Sequence, residues 1–340
     1  MEKIRFGKTE LMVSRAALGG IPIMRISPEE AAALVRESLA LGINFIDTAH
    51  VYADSEEKIG EALKGTKRGD VIIASKSPAN DKAAFNEHLD LSLKRLGTDY
   101  IDIYQLHNIG SEQRRDAVFA PGGAYEGLQD AVKAGKVRFP GFSSHSLAIT
   151  LDLITGGLFD VVQFPFNYID NDAEREAIPL AKKHDMGFIA MKPMGGGLLD
   201  NAELSFRYLL QFDSIVPDPG IERIEEIREI AAIMERKPAL TRDDRLEIEK
   251  LRAEFGPSWC HRCDYCQPCP QEIPISLALG ARSGAKRFSP ARFRSMVAPA
   301  LEKARSCTEC KTCVPRCPYH LDIPALLKAS VALWDAAQAG

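Results

Sequence analysis

Asn44-Phe45-Ile46-Asp47-Thr48-Ala49-His50-Val51-Tyr52 decides how this chain is read. Phe45 and Ile46 end a short apolar strand, Asp47 stands at its carboxyl end, and Tyr52 follows on the next loop. Two later apolar runs end in the same way: Val71-Ile72-Ile73-Ala74-Ser75-Lys76 and Ile101-Asp102-Ile103-Tyr104-Gln105-Leu106-His107. Three successive strands thus deliver Asp, Lys and His to one end, with a Tyr beside the first. A carboxylate and a phenol at the carboxyl ends of strands suit proton chemistry at a barrel mouth.

Outward from that stretch, strand and helix patterns alternate. Arg15-Ala16-Ala17-Leu18-Gly19-Gly20 reads as a first buried strand after a short leader. Ser27-Pro28-Glu29-Glu30 places Ser at the N-cap, Pro at N1 and Glu at N3, a strong helix start, and Gly42 stops the helix. Strands end near Thr48, Lys76, His107, Ser143, Pro165, Met191 and Pro217, each followed by helical periodicity. Eight strand–helix units in about 220 residues predict a closed (β/α)₈ TIM barrel. The rival, a doubly wound open sheet, lacks its G-x-G-x-x-G fingerprint, since Gly19-Gly20 runs into Ile-Pro. Expected domain limits are 1–240 for the barrel, 241–256 for a charged helical connector and 257–340 for a small cysteine-rich domain.

The 340 residues are 45% apolar and 26% charged, with a net charge of -4. That is the composition of a soluble globular protein and gives no support to nucleic-acid or anionic-membrane binding. Neither a signal-peptide pattern nor an apolar run of membrane-spanning length is visible, so a cytoplasmic protein is expected. All eight cysteines fall between Cys260 and Cys317. In such a chain this clustering means ligation of metal or clusters rather than a disulfide framework.

Asp47-Thr48-Ala49-x-x-Tyr52-x-x-Ser55-Glu56-x-x-Ile59-Gly60-x-x-Leu63, with the order Asp, Tyr, Lys, His, closely resembles the signature of the aldo-keto reductase family. The resemblance covers roughly residues 3 to 235, and the tail is similar to the branch with a ferredoxin-type iron–sulfur extension. It implies reduction of a small carbonyl substrate by hydride from NADP(H) or NAD(H), with Tyr52 as general acid, Lys76 and Asp47 tuning it, and His107 positioning substrate. The chemistry agrees: a phenol with pKa near 10 profits from a neighbouring cation that lowers it. Each residue alone also has a structural reading, as cap, strand end, core histidine or rim aromatic.

The same resemblance implies a nicotinamide across the barrel mouth. Ser143 and Ser144, with Gln163, would bond its carboxamide, and Met191 or Lys192 stands where many members have a stacking aromatic. Gly195, Gly196 and Gly197 would cradle the pyrophosphate. Gly220 and Arg223 mark the adenosine-phosphate region, although Glu222 falls where many members carry a cation.

Cys260-x-x-Cys263-x-x-Cys266-x-x-Cys269-Pro270 and Cys307-x-x-Cys310-x-x-Cys313-x-x-x-Cys317-Pro318 are the most specific motifs in the chain. The second matches the bacterial ferredoxin run, and the first is one residue short before its Cys-Pro. In two-cluster ferredoxins the fourth cysteine of each run ligates the other cluster. The expectation is two [4Fe–4S] clusters in a ferredoxin-like domain, on Cys260, Cys263, Cys266 and Cys317, and on Cys307, Cys310, Cys313 and Cys269. Two structural zinc sites are the rival. Arg282, Lys286, Arg287, Arg292, Arg294, Lys303 and Arg305 between the runs either balance cluster charge or dock an acidic electron carrier of ferredoxin or flavodoxin type. Three function classes follow: a self-contained reductase, an electron-transfer protein fed through its clusters, and a non-catalytic redox-sensing barrel.

Overall fold

The computed structural model describes residues 1–255, 258–262, 265–281, 290–317 and 319–339. Contacts divide the chain into two compact units, Met1–Met194 with Asn201–Leu240, and Gly195–Asp200 with Thr241–Gly340.

The first unit is a (β/α)₈ barrel. Among the described residues, eight parallel strands run side by side: β3 (Leu18–Gly19), β4 (Phe45–Asp47), β5 (Ile72–Ser77), β6 (Ile101–Leu106), β7 (Val137–Ser143), β8 (Val161–Pro165), β9 (Gly187–Met191) and β10 (Ile215–Asp218). Backbone bonds join the two edges: the Ala17 N–H donates to Pro217 O and the Gly19 N–H to Pro219 O, each at 2.9 Å. Gly19 is required at this seam, because a Cβ there would lie 2.6 Å from the Pro219 carbonyl and 2.8 Å from Asp218 Oδ1. The helices between the strands include α1 (Pro28–Ala40), α2 (Ser55–Ala62) and α3 (Lys82–Leu96). Ser27 and Glu30 form the expected reciprocal cap of α1. Beyond them come α4 (Glu112–Phe119), α5 (Ala124–Lys133), α6 (Leu147–Thr155), α7 (Ala177–Lys183), α8 (Ala202–Leu209) and α9 (Ile224–Arg236).

The expected leader is in fact structured. Strands β1 (Lys3–Arg5) and β2 (Met12–Ser14) pair antiparallel. Their hairpin carries Phe6 against the barrel floor, edge-on to Phe45 at 5.6 Å. Gly187 leaves the space for that ring, since a Cβ on it would lie 2.4 Å from Phe6. The hairpin was missed because its three-residue strands are too short to show a period. Phe6, Leu11, Val13, Phe45, Ala74, Ile103, Val161, Ile189 and Val216 make one buried cluster.

Register explains what lies above this floor. Side chains alternate faces along a strand, so residues two apart share the barrel interior. Strand pairing puts Asp47, Lys76, Gln105, Ser143, Gln163, Met191 and Asp218 on that inward face. Phe45 then Asp47, Ala74 then Lys76, Ile103 then Gln105, Val161 then Gln163, Val216 then Asp218: five strands step from apolar to polar as they rise. The N-terminal end is therefore a packed plug and the C-terminal end a polar layer.

The second unit holds α10 (Arg242–Phe255), α11 (Ile275–Leu279), α12 (Pro290–Ala304) and α13 (Ile323–Ala339), with one cysteine run between α10 and α11 and the other between α12 and α13. Ile273, Ile275, Ala278, Val297, Leu301 and Leu327 pack with Cys266 and Cys317 in its core. Among the described residues no helix is long and apolar enough to cross a membrane.

Candidate active site

The polar layer brings Asp47 and Lys76 into direct contact. Lys76 Nζ donates to Asp47 Oδ2 and to the Thr48 carbonyl, both at 2.6 Å, and both side chains are almost wholly buried. Burial alone would strip the lysine of its proton, but its acidic neighbours, the Asp47 carboxylate first, outweigh it and leave its pKa raised. Lys76 is thus held as a cation. Its Nζ lies 5.2 Å from the centre of the Tyr52 ring, and that ring meets His107 edge-on at 5.9 Å. The four residues expected to form the centre therefore come together at the C-terminal end of the barrel.

His107 sits in packed surroundings although part of its edge still reaches the surface. Loss of hydration, then the charges of Lys76 and Arg114, push its pKa down to about 3. It is a neutral imidazole at neutral pH, able to orient a carbonyl but not to serve as its acid. Arg114, on α4, donates to the carbonyls of Pro78 and His107 and so ties that helix to the ends of β5 and β6.

Two histidines are structural in their contacts. His50 stacks on His88 of α3 at 3.9 Å, and burial, then His88 and Arg95, lower its pKa to about 4. His88 Nδ1 lies 2.8 Å from Ser77 Oγ.

The structure sorts the expected cofactor residues. Ser143 Oγ accepts the Asn108 N–H at 2.8 Å and keeps its own proton to give, whereas the Ser144 hydroxyl donates to Ile109 O at 2.7 Å. Gln163 Nε2 donates to Asp47 Oδ2 at 3.2 Å and to Asp218 Oδ2 at 3.1 Å. Its Oε1 is buried with no protein partner among the described residues. Met191 lies beside Asp218 on the inward face, and Lys192, next along, has a left-handed backbone and places Nζ 2.5 Å from His145 Nε2.

Gly195, Gly196 and Gly197 all have positive φ and group with the second unit. Gly195 packs on Trp259, whose ring would lie 2.6 Å from a Cβ. Gly220 bridges Gly19 at the barrel seam. Arg223, at the N-cap of α9, is held by Glu226 at 2.8 Å, while Glu222 pairs with Arg25 at 2.7 Å.

The sequence reading missed Asp218. It lies one residue past Pro217, where the last strand was expected to end; the signal is Ile215-Val216-Pro217-Asp218, an apolar run ending in a carboxylate just as Phe45-Ile46-Asp47 does.

Cys269, Cys307, Cys310 and Cys313 line one cavity with Ile273 and Leu327. Glu309 and Lys311 between them take left-handed backbone angles. A cavity lined by four thiols, with none of the described cysteines in a disulfide, suits the chemistry of an all-sulfur metal group, although among the described residues no three ligands are gathered at metal-holding distance. Cys266 and Cys317 are buried in the same core, against which Cys260 packs; Cys263 lies outside the described residues. So do Arg282, Lys286 and Arg287, and the Arg292 side chain is likewise undescribed. Lys303 pairs with Glu272, and Arg305 with Glu302 and Asp335.

A plugged parallel barrel with an acid–lysine–phenol group at its C-terminal end defines a class of oxidoreductase. The aldo/keto reductase family model matches residues 15–240, and the chain belongs to that family. A 4Fe-4S dicluster domain model matches residues 259–322. An L-galactose dehydrogenase from Arabidopsis thaliana is 33% identical over 214 residues, 57% of this chain and 65% of that protein. An uncharacterized oxidoreductase of Bacillus subtilis is 30% identical over 233 residues, 60% and 70% respectively. The holo form of an aldo-keto reductase from Bacillus halodurans superposes with TM-score 0.64 at 26% identity, covering 74% of this chain and 96% of that one.

Proposed function

We propose that this chain reduces the carbonyl of a small molecule with NADH or NADPH, and that Tyr52 is the proton donor. The observation that carries the reading is the buried Asp47–Lys76 pair facing the Tyr52 ring. Bound at the barrel mouth, the reduced nicotinamide supplies the hydride. Lys76, held cationic by Asp47, stabilises the phenolate left when Tyr52 gives its proton to the carbonyl oxygen. Neutral His107 orients that oxygen. Ser143 and Gln163 have hydrogen-bonding capacity to spare for a carboxamide, a donor hydroxyl and an acceptor oxygen, and the buried Gln105 amide of the same layer is also unpartnered among the described residues. Met191 would contact the ring by its thioether, a softer surface than an aromatic.

Supporting this reading, Tyr52→Phe should lower kcat by about 10²–10⁴-fold, the span of general acid catalysis, with cofactor affinity unchanged. Cofactor oxidation with an aromatic aldehyde is the measurement. Undiminished turnover would remove Tyr52 from the mechanism, and a wild-type chain that binds cofactor without turnover would favour the sensing barrel.

The lining of one cavity by four thiols favours a second element of the reading, two [4Fe–4S] clusters. Cys269, Cys307, Cys310 and Cys313 would hold one, and Cys260, Cys263, Cys266 and Cys317 the other. Such clusters supply one-electron transfer. Visible absorbance of anaerobic protein on addition of NADH or NADPH, without carbonyl, distinguishes the roles. Bleaching would mean that the nicotinamide site and the clusters exchange electrons and would call for a bound flavin to split the hydride's electron pair; its absence would leave the hydride chemistry self-contained.

A further inference from the structure

The geometry points to Asp218 as a positioning residue of the barrel site, one that fixes, jointly with Asp47, which way the Gln163 amide faces. This deepens the reductase reading and rests on it. Asp218 is 8% exposed, at the C-terminal end of β10, and the Gly19 backbone at the seam leaves the space for its carboxyl group. Gln163 Nε2 lies within 3.2 Å of an oxygen of each acid. Turned over, the amide would set its oxygen against the Asp47 carboxylate, so that acid holds Nε2 to itself while the Asp218 oxygen accepts from the same nitrogen. Oε1, buried and without a protein partner among the described residues, is then presented as an acceptor. A carboxamide N–H is the kind of group that satisfies it.

The charges agree. The groups facing Asp218 are Asp47 from β4 and Lys76 from β5, while β9 presents Met191 and β3 presents Gly19. Two carboxylates against one ammonium would leave a buried negative charge unbalanced. Burial, then the nearby Asp47, raise the Asp218 pKa well above the usual carboxylate range, which favours its neutral form. As a neutral carboxyl it can donate to Asp47 while accepting from Gln163.

Asp218→Asn and Asp218→Leu in the full chain with its clusters test this by the split between them. Asn reproduces both the donor and the acceptor of the protonated acid, and Leu neither. The dissociation constants of NADH and NADPH, read from nucleotide fluorescence, should stay within about twofold of wild type in D218N and weaken about tenfold in D218L. Thermal unfolding of each variant reports folding separately; should D218L not fold, Asp218→Ser, too short to reach Gln163, takes its place with the same expected loss. A folded D218L or D218S that binds nucleotide as tightly as wild type overturns the proposal. So does D218N losing as much as the truncating variant. If the wild type binds nucleotide but reduces no carbonyl, the reductase reading fails while the affinities still decide the role of Asp218. A wild type that binds neither nucleotide overturns both.

Discussion

His107 and Asp218 show what the polar layer does to single residues, and they act on stability with opposite signs. The folded imidazole stays neutral down to about 3, whereas an unfolded histidine takes a proton near 6.5. Between those values the unfolded chain binds more protons, so stability falls as pH drops through that window. Asp218 runs the other way. Its folded carboxyl keeps a proton above the pH at which the unfolded side chain releases it, so stability falls as pH rises from the ordinary carboxylate range toward the raised value. In urea midpoints measured across pH, His107→Gln should flatten the acid-side slope without touching the other. An unchanged acid slope would show that the imidazole is not its source. At this scale much was legible in the sequence, because Asp47, Lys76 and His107 each close an apolar run and Tyr52 follows at loop distance. What was hidden is the layer's own chemistry. Asp47, Gln163 and Asp218 come into contact only through the closing of the barrel, and no local pattern shows that Gln163 bridges two acids.

Among the elements, the start of α9 carries a consequence for cofactor choice. Glu226 accepts the N–H groups of Glu222 and Arg223 and also takes the Arg223 guanidinium. The cation that would meet a 2′-phosphate is therefore already paired, and an acceptor suited to a ribose hydroxyl lies close by. Glu226→Gln keeps the backbone acceptor but releases the arginine. It should move the ratio of kcat/KM values about tenfold toward NADPH, as one charge-assisted hydrogen bond allows. An unmoved ratio would place Arg223 away from the phosphate. Periodicity was a good guide to these elements where helices are long, as in α1, α3 and α9. It failed for the N-terminal hairpin, whose worth lies in Phe6 reaching the floor beneath Gly187, a contact invisible in its own three-residue strands.

For the whole molecule, the two units divide the chemistry, protons in one and thiols in the other. With two clusters bound, iron and acid-labile sulfide should each come to about eight per chain. Replacing both Cys310 and Cys313 by Ala should halve that, with aldehyde reduction by the barrel retained if its chemistry is self-contained. Full iron content in the double variant would remove these two cysteines from the ligand set; zinc in place of iron would remove the clusters. The barrel's plug also has a bearing on how the molecule comes into being. Arg5 and Asp185, which pin the hairpin to β9, stand 180 residues apart in the chain. At the pace of protein synthesis, the first strands wait ~10–40 s on the ribosome for the residues they must cover. Phe6 and Leu11 are apolar throughout that interval, and the seam cannot shut until Pro217 and Pro219 have followed. The nascent chain thus carries an open-bottomed sheet for most of its synthesis, a period in which a chaperone would find its clearest target at the amino terminus.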